Sequence, residues 1–161
     1  MIRLILFLLT LVGLAAGVAA SGWISVSALT PTDRLDPLLS FASHRSIAHH
    51  APGKRNDFAG DRARIAQGEA IFRHDCAACH GAPGMAPHRF ARGLNPPAPD
   101  LARAETQRLS DGELFWVICN GVRATGMPAF GAEHTEEDIW ELTAFIRQLA
   151  RPNRLDSVVA R

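Results

Sequence analysis

The chain has 161 residues, with 17 basic and 16 acidic side chains, a formal net charge of +1, seven histidines and three cysteines. That length allows one domain of ordinary size plus extensions. Near-balanced charge, with Lys54 the one lysine and no basic stripe interleaved with aromatics, argues against general nucleic-acid binding.

Met1-Ile2-Arg3 is a short basic start, and Leu4 to Ala20 then runs without charge. Residues 1–24 therefore read as a membrane anchor or a signal peptide. An anchor needs about 20 mainly apolar residues. Leu4 to Ile24 supplies them, no charge follows before Asp33, and Trp23 stands where an interfacial aromatic belongs. A cleaved signal would use Val18-Ala19-Ala20 as its small-residue site. Length favours the anchor. Both readings export the remainder, and Arg3 against Asp33, Arg34 and Asp36 fits the positive-inside rule weakly.

Residues 25–60 read as a linker broken by Pro31, Pro37, Pro52 and Gly53. Within it, Leu38 to His50 has the spacing of a short amphipathic helix, with Leu38, Leu39, Phe41, Ile47 and Ala48 apolar. His44, Arg45, His49, His50, Lys54 and Arg55 make the stretch basic. It would either rest on anionic head groups or be a solvated linker. From Asp61 to Asp75 the pattern is helical, with Ile65, Gly68 and Phe72 on one face.

That helix delivers the chain to Cys76-Ala77-Ala78-Cys79-His80, a C-x-x-C-H run that marks covalent attachment of a c-type haem. Two thiols add to the two vinyl groups of one porphyrin, and the adjacent histidine supplies an axial nitrogen. A zinc site or a redox dithiol is the alternative. The chain has no second C-x-x-C, and Cys119 lies far away in an apolar run. His74 and His88 would complete a Cys2His2 set only with irregular spacing, and no strand precedes Cys76 as a thioredoxin-like motif requires. Export and haem support each other, because bacterial haem c attachment takes place outside the cytoplasmic membrane.

Gly81 to Pro99 is a proline-dense loop expected to wrap a haem edge, and Asp100 to Arg108 is expected to hold a short helix. Ser110-Asp111-Gly112-Glu113 is a capping box. It opens a helix through Leu114, Phe115, Trp116, Val117 and Ile118 that Asn120-Gly121 ends. Thr125 to Gly131 forms a loop. Thr135 begins the last helix, with Glu136, Glu137 and Asp138 at its positive end. Its apolar face is Ile139, Trp140, Leu142, Phe145, Ile146 and Leu149, and Pro152 marks its end. No strand and no internal repeat is evident.

A six-coordinate iron needs a ligand opposite His80. Met1 is the start residue, and Met85 is too near His80 to cross the haem plane easily. Met127 lies 127 − 80 = 47 positions downstream in a loop stiffened by Pro128. Met127 is the assigned ligand, with His134 or His88 as alternatives. Methionine ligation raises the potential relative to a second imidazole and saturates the iron, which favours outer-sphere electron transfer.

Residues 61–151 resemble a class I cytochrome c domain. The resemblance is carried by Gly68-x-x-x-Phe72, Cys76-Ala77-Ala78-Cys79-His80-Gly81, Asn95-Pro96-Pro97-Ala98-Pro99-Asp100-Leu101 and Leu109 to Phe115. It continues through Asn120-Gly121, Thr125 to Phe130 and the final helix through Ala144-Phe145-Ile146. It implies an all-α fold, with helices wrapped round one covalent haem, and the apolar run read above would add an N-terminal membrane helix ahead of the domain. It also implies that Gly68 and Phe72 meet the last helix near Trp140 and Phe145. Residues 152–161 are a C-terminal tail.

Within the family the likeness is to membrane-anchored bacterial cytochromes and to haem subunits of respiratory oxidases and dehydrogenases. Ser46 to Ala51 also resembles a segment that precedes the domain in anchored forms. By analogy a carbonyl between Leu94 and Pro97 accepts the far N–H of His80. Trp116, Arg92 and Arg123 would meet the propionates or serve as ordinary core and surface, and Cys119 would be a semi-buried free thiol on a helix or the site of an intermolecular disulfide.

The expectation is an electron carrier, not an enzyme in itself, with its haem domain on the periplasmic side of the cytoplasmic membrane. Redox donors and acceptors would dock near Ala82, Met85, Ala86, Ala129 and Phe130. The alternatives are a fixed subunit of a respiratory oxidase or dehydrogenase, a haem enzyme or gas sensor whose Met127 dissociates, and a zinc module.

Overall fold

The computed structural model describes residues 2–21, 36–83 and 85–150. The chain divides into two units, residues 1–31 and 32–161.

In the first unit, α1 runs Ile2–Ala20. Its leucines, Ile2, Ile5 and Phe7 are exposed. Thr10 fits this apolar helix by donating its hydroxyl to the Leu6 carbonyl at 2.8 Å, and Ser21 closes the last turn on the Val18 carbonyl. Nineteen helical residues rise about 28 Å, short of a hydrocarbon core of roughly 30 Å. No helix among the described residues is long and apolar enough to cross a membrane. The expected membrane helix over Leu4 to Ile24 is corrected on this point: the helix ends at Ala20 and Ser21 is a turn, while Trp23 and Ile24 lie outside the described residues.

The second unit holds α2 (Asp36–His50), α3 (Arg62–Ile71), a π-helical turn (Phe72–Cys76), α4 (Ala77–His80) and a 3-10 turn (Arg89–Gly93). Then come α5 (Ala104–Gln107), α6 (Asp111–Asn120), a second 3-10 turn (Phe130–Ala132) and α7 (Glu136–Leu149). The fold is all-α. Among the described residues the sole β feature is an isolated bridge between Ala82 and Met85.

The segment expected to be a linker is, in its described part, packed onto this unit. Ile47 of α2 is buried, while Phe41 and Ala48 are exposed. The His50 ring lies 5.8 Å from that of Trp116 on α6. Asn56, also buried, donates its side-chain amide to the Trp140 carbonyl at 2.7 Å and its backbone N–H to Asp111 at 3.1 Å. Its side-chain oxygen accepts from Phe58 N–H at 3.0 Å. Three polar atoms of one buried residue thus find partners, which is what burial of an amide requires. Residues 25–35 of the expected linker lie outside the described residues.

The core forms where α3 crosses α7. A Cβ on Gly68 would overlap the backbone carbonyl of Glu141, so glycine is what lets the two backbones touch. One turn on, Phe72 is 1% exposed and tilts against Phe145 with ring centroids 5.1 Å apart. Leu114 and Ile118 from α6, with Ile139, Leu142 and Ile146 from α7, complete the cluster. Burial of each such side chain stabilises the fold by about 1.5–3 kcal/mol. Gly68 and Phe72 thus meet the last helix beside Trp140 and at Phe145, as expected, while the Trp140 ring itself stacks on Phe115 of α6 at 4.4 Å.

Caps and charges fix the helix ends. Asp61 accepts from the backbone of Ala63 and Arg64 at the start of α3. Ser110 with Glu113, and Thr135 with Asp138, form capping boxes on α6 and α7. The Thr135 hydrogen bonds hold the Asp138 carboxyl below its ordinary range. Arg64 of α3 reaches Glu141, which is buried, and Glu137, and these two hydrogen-bonded carboxylates raise its pKa. Arg147 ties α7 to Asp111 at 2.8 Å and to the carbonyls of Gln107 and Leu109. Gly121, at φ +66°, ends α6 directly against Pro128.

Candidate haem centre

The C-x-x-C-H run begins at the last residue of the π-helical turn and fills α4. In the π turn, Ala77 N–H bonds to the Phe72 carbonyl five residues back. Cys76 points into the core cluster, while Cys79 is half-buried. Both are free thiols, as is Cys119. Burial pushes the Cys76 thiol up to about 12, with the Asp75 carboxylate and Cys79 adding to the effect. A thiol held protonated in this way is a poor nucleophile once the core has closed over it.

His80 lies at the end of α4, and its Nδ1 is 2.9 Å from the carbonyl oxygen of Pro99. A carbonyl can only accept, so Nδ1 carries the hydrogen, and in the neutral ring Nε2 is the nitrogen with the lone pair. This is the tautomer and the second contact that metal-bound histidines use. The acceptor is not in the expected Leu94 to Pro97 stretch but two residues beyond it. Residues before prolines are held extended. Carbonyls two residues apart in extended chain face the same side, so a slip from Pro97 to Pro99 keeps the direction.

Met127 is half-buried and packs on the core cluster that includes Cys76. Its loop is closed on itself: Met127 N–H donates to Thr125 Oγ1 at 3.1 Å, Thr125 Oγ1 donates to the Val122 carbonyl at 2.7 Å, and Val122 N–H donates to the Met127 carbonyl at 3.3 Å. Gly126 backs onto Leu94, where a Cβ would stand 2.6 Å from a methyl carbon. The fold thus gathers Cys76, Ala77, Ala82, Met127 and Phe130 around one cluster.

The other candidates are placed elsewhere. His134 is engaged by Asp75, with Nε2 to Oδ2 at 3.1 Å. His88 is exposed beside Phe90, with ring centroids 5.1 Å apart. Met85 sits in the tight turn with Ala82 and is 59% exposed, and Phe90 is 57% exposed. Trp116 faces His50 of α2, and Arg92 and Arg123 are exposed. Among the described residues no group of three His, Cys, Asp or Glu side chains could hold a metal ion, which leaves the zinc alternative without a ligand set there. Sequence reasoning missed Asn56 and the Asp75–His134 contact. Both join residues more than 50 positions apart, and no local pattern signals such a pair.

Two free thiols one helical turn apart, followed by an imidazole whose Nδ1 donates to the Pro99 carbonyl, fit a covalently attached haem. The family model for cytochrome c oxidase, cbb3-type, subunit III, matches residues 63–146, from the first turn of α3 to the last turn of α7 and just over half of the chain. The chain belongs to this family. As a c-type cytochrome domain of the kind found in that subunit it binds haem c covalently, a single haem for a domain of this size, and its chemistry is haem-based electron transfer. No curated protein matches the chain. The cbb3-type match encloses the C-x-x-C-H run, the Pro99 carbonyl and Met127, and ends short of α2 and Asn56 on the N-terminal side.

Proposed function

We propose that this protein carries single electrons through one haem c held by thioether bonds from Cys76 and Cys79, with His80 and Met127 as axial ligands. The observation that carries the reading is the His80 Nδ1 to Pro99 carbonyl bond, which prepares Nε2 for iron. When bound, the haem supplies one-electron ferric/ferrous chemistry. Cys76 and Cys79 fix its position, and Pro99 orients the His80 ring and raises its basicity. Met127 offers a neutral thioether that raises the potential. No side chain is needed as acid, base or nucleophile. Ala82, Met85, Ala86, Ala129 and Phe130 would make a small apolar docking edge, suited to the weak and limited interfaces of redox encounters.

The family match favours a second reading of the partner: the protein is a resident haem subunit of a terminal oxidase complex, passing electrons to a fixed acceptor. Mild detergent extraction separates the two, since a carrier is recovered free and a subunit is recovered in a complex. We place the haem domain on the periplasmic side, with the uncharged Leu4 to Ala20 run as its export signal. The mass of the mature chain tests whether that run is retained.

The deciding experiment is the optical spectrum of protein made in a host that attaches haem c. The ferric form should show the far-red sulfur-to-iron band, and Met127→Ala should lack it. A high-spin wild-type spectrum without that band would make the iron open and favour a ligand-binding role. Absence of covalent haem would overturn the proposal.

A further inference from the structure

We propose that Asp75 and His134 are a positioning pair that keeps Met127 on the iron and so closes the sixth coordination position. The inference rests on the reading of Met127 as ligand. Met127 lies in a stretch anchored at both ends by α6: Gly121 backs onto Pro128, and a Cβ on Gly131 would stand 2.5 Å from the Cys119 sulfur. These contacts hold the stretch to α6, not to the segment that bears the haem thiols. Among the described residues, the hydrogen bond joining residues 127–134 to residues 72–80 is His134 Nε2 to Asp75 Oδ2, 3.1 Å long.

Asp75 immediately precedes Cys76. His134 follows the 3-10 turn after Met127, and its backbone N–H bonds to the Phe130 carbonyl at 3.0 Å. The clasp therefore spans from the attachment turn to the exit of the methionine loop. Both side chains are about one-fifth exposed, Asp75 at 20% and His134 at 19%, so the contact is shielded compared with a surface pair. Asp75 spends its other oxygen on His74 Nδ1 at 2.6 Å, which orients the carboxylate toward both rings. Loss of such a shielded hydrogen bond is enough to change the open fraction of the loop by about tenfold.

Cyanide binding to the ferric holoprotein reads this directly, because cyanide enters only where Met127 leaves. Wild type, Asp75→Asn, His134→Phe, His134→Gln and Met127→Ala are compared at one pH. Asp75→Asn and His134→Phe should keep the far-red band at rest yet bind cyanide about tenfold faster than wild type. His134→Gln, which keeps an N–H donor, should stay within about threefold of wild type. His134→Phe leaves the residues of the attachment segment itself unchanged, so it stays informative if Asp75→Asn attaches haem poorly.

Wild-type cyanide rates in both clasp variants, with a fast Met127→Ala, would overturn the clasp and leave the ligand assignment standing. Equal acceleration by His134→Gln and His134→Phe would also overturn it, because the hydrogen bond would not be what holds the loop. A Met127→Ala protein with an unchanged band and rate would remove the ligand reading and this inference with it.

Discussion

Gly68 and Asp138 each do one physical job that a single substitution isolates. At Gly68 the backbone of α3 touches the carbonyl of Glu141, and any Cβ must push the helices apart. Gly68→Ala should lower stability by about 3 kcal/mol despite the better helix propensity of alanine, measured by thermal or denaturant unfolding of the holoprotein. Asp138 closes the capping box of α7, and its carboxyl is held below the ordinary range by Thr135. A depressed carboxyl stabilises the fold above its unfolded pKa of about 3.9 and loses that contribution as pH falls through the folded value. Asp138→Asn should therefore melt a few degrees below wild type at neutral pH. The gap should close in acid below about pH 4.

Between elements, local and distant signals separate. Ser110 with Glu113, Thr135 at the head of α7 and glycine at the end of α6 are written within a few residues of one another, and the helices start and stop there. The helix expected from Asp61 to Asp75 is also present, but its last turn is π rather than α, a change of hydrogen-bond register that apolar spacing does not reveal. The acceptor for His80 lies two residues beyond the stretch that family analogy gave, since the analogy indicates the segment that faces the ring but not which of two equivalent carbonyls is used. Asn56 was illegible altogether: it binds Trp140, 84 positions away, across the α2–α7 side of the unit. Asn56→Ala should cost about 1–3 kcal/mol by leaving the buried Trp140 carbonyl without its partner, as read by denaturant midpoints at unchanged slope.

For the molecule as a whole, the consequence is a domain that begins earlier than its haem motif suggests. The family match starts at residue 63, yet α2, Ile47 and Asn56 are packed on α6 and α7. A chain beginning at Asp61 should attach haem but unfold at a lower temperature than one beginning at Asp36, and protease should cut it faster near Trp116, which α2 no longer covers. Equal melting of the two would show that the segment contributes nothing to stability.

The π turn at Phe72–Cys76 sets the bearing of everything after it. Each residue of an α-helix turns the chain by about 100°, so winding five residues into one turn brings Ala77 over Phe72, about 100° from where an α turn of the same residues would put it. Phe72 faces α7 and the core, and Cys79 and His80 point where they do because of that added step. No side chain encodes it; the number of residues does. An alanine scan through Arg73 and His74 would pass over it. Deleting Arg73 alone, an exposed residue, should give a plain α turn that reaches the same bearing with four residues and still attaches haem, whereas inserting one alanine after Arg73 should swing the thiols and the imidazole away from Met127 and yield chains with little covalent haem and no far-red band.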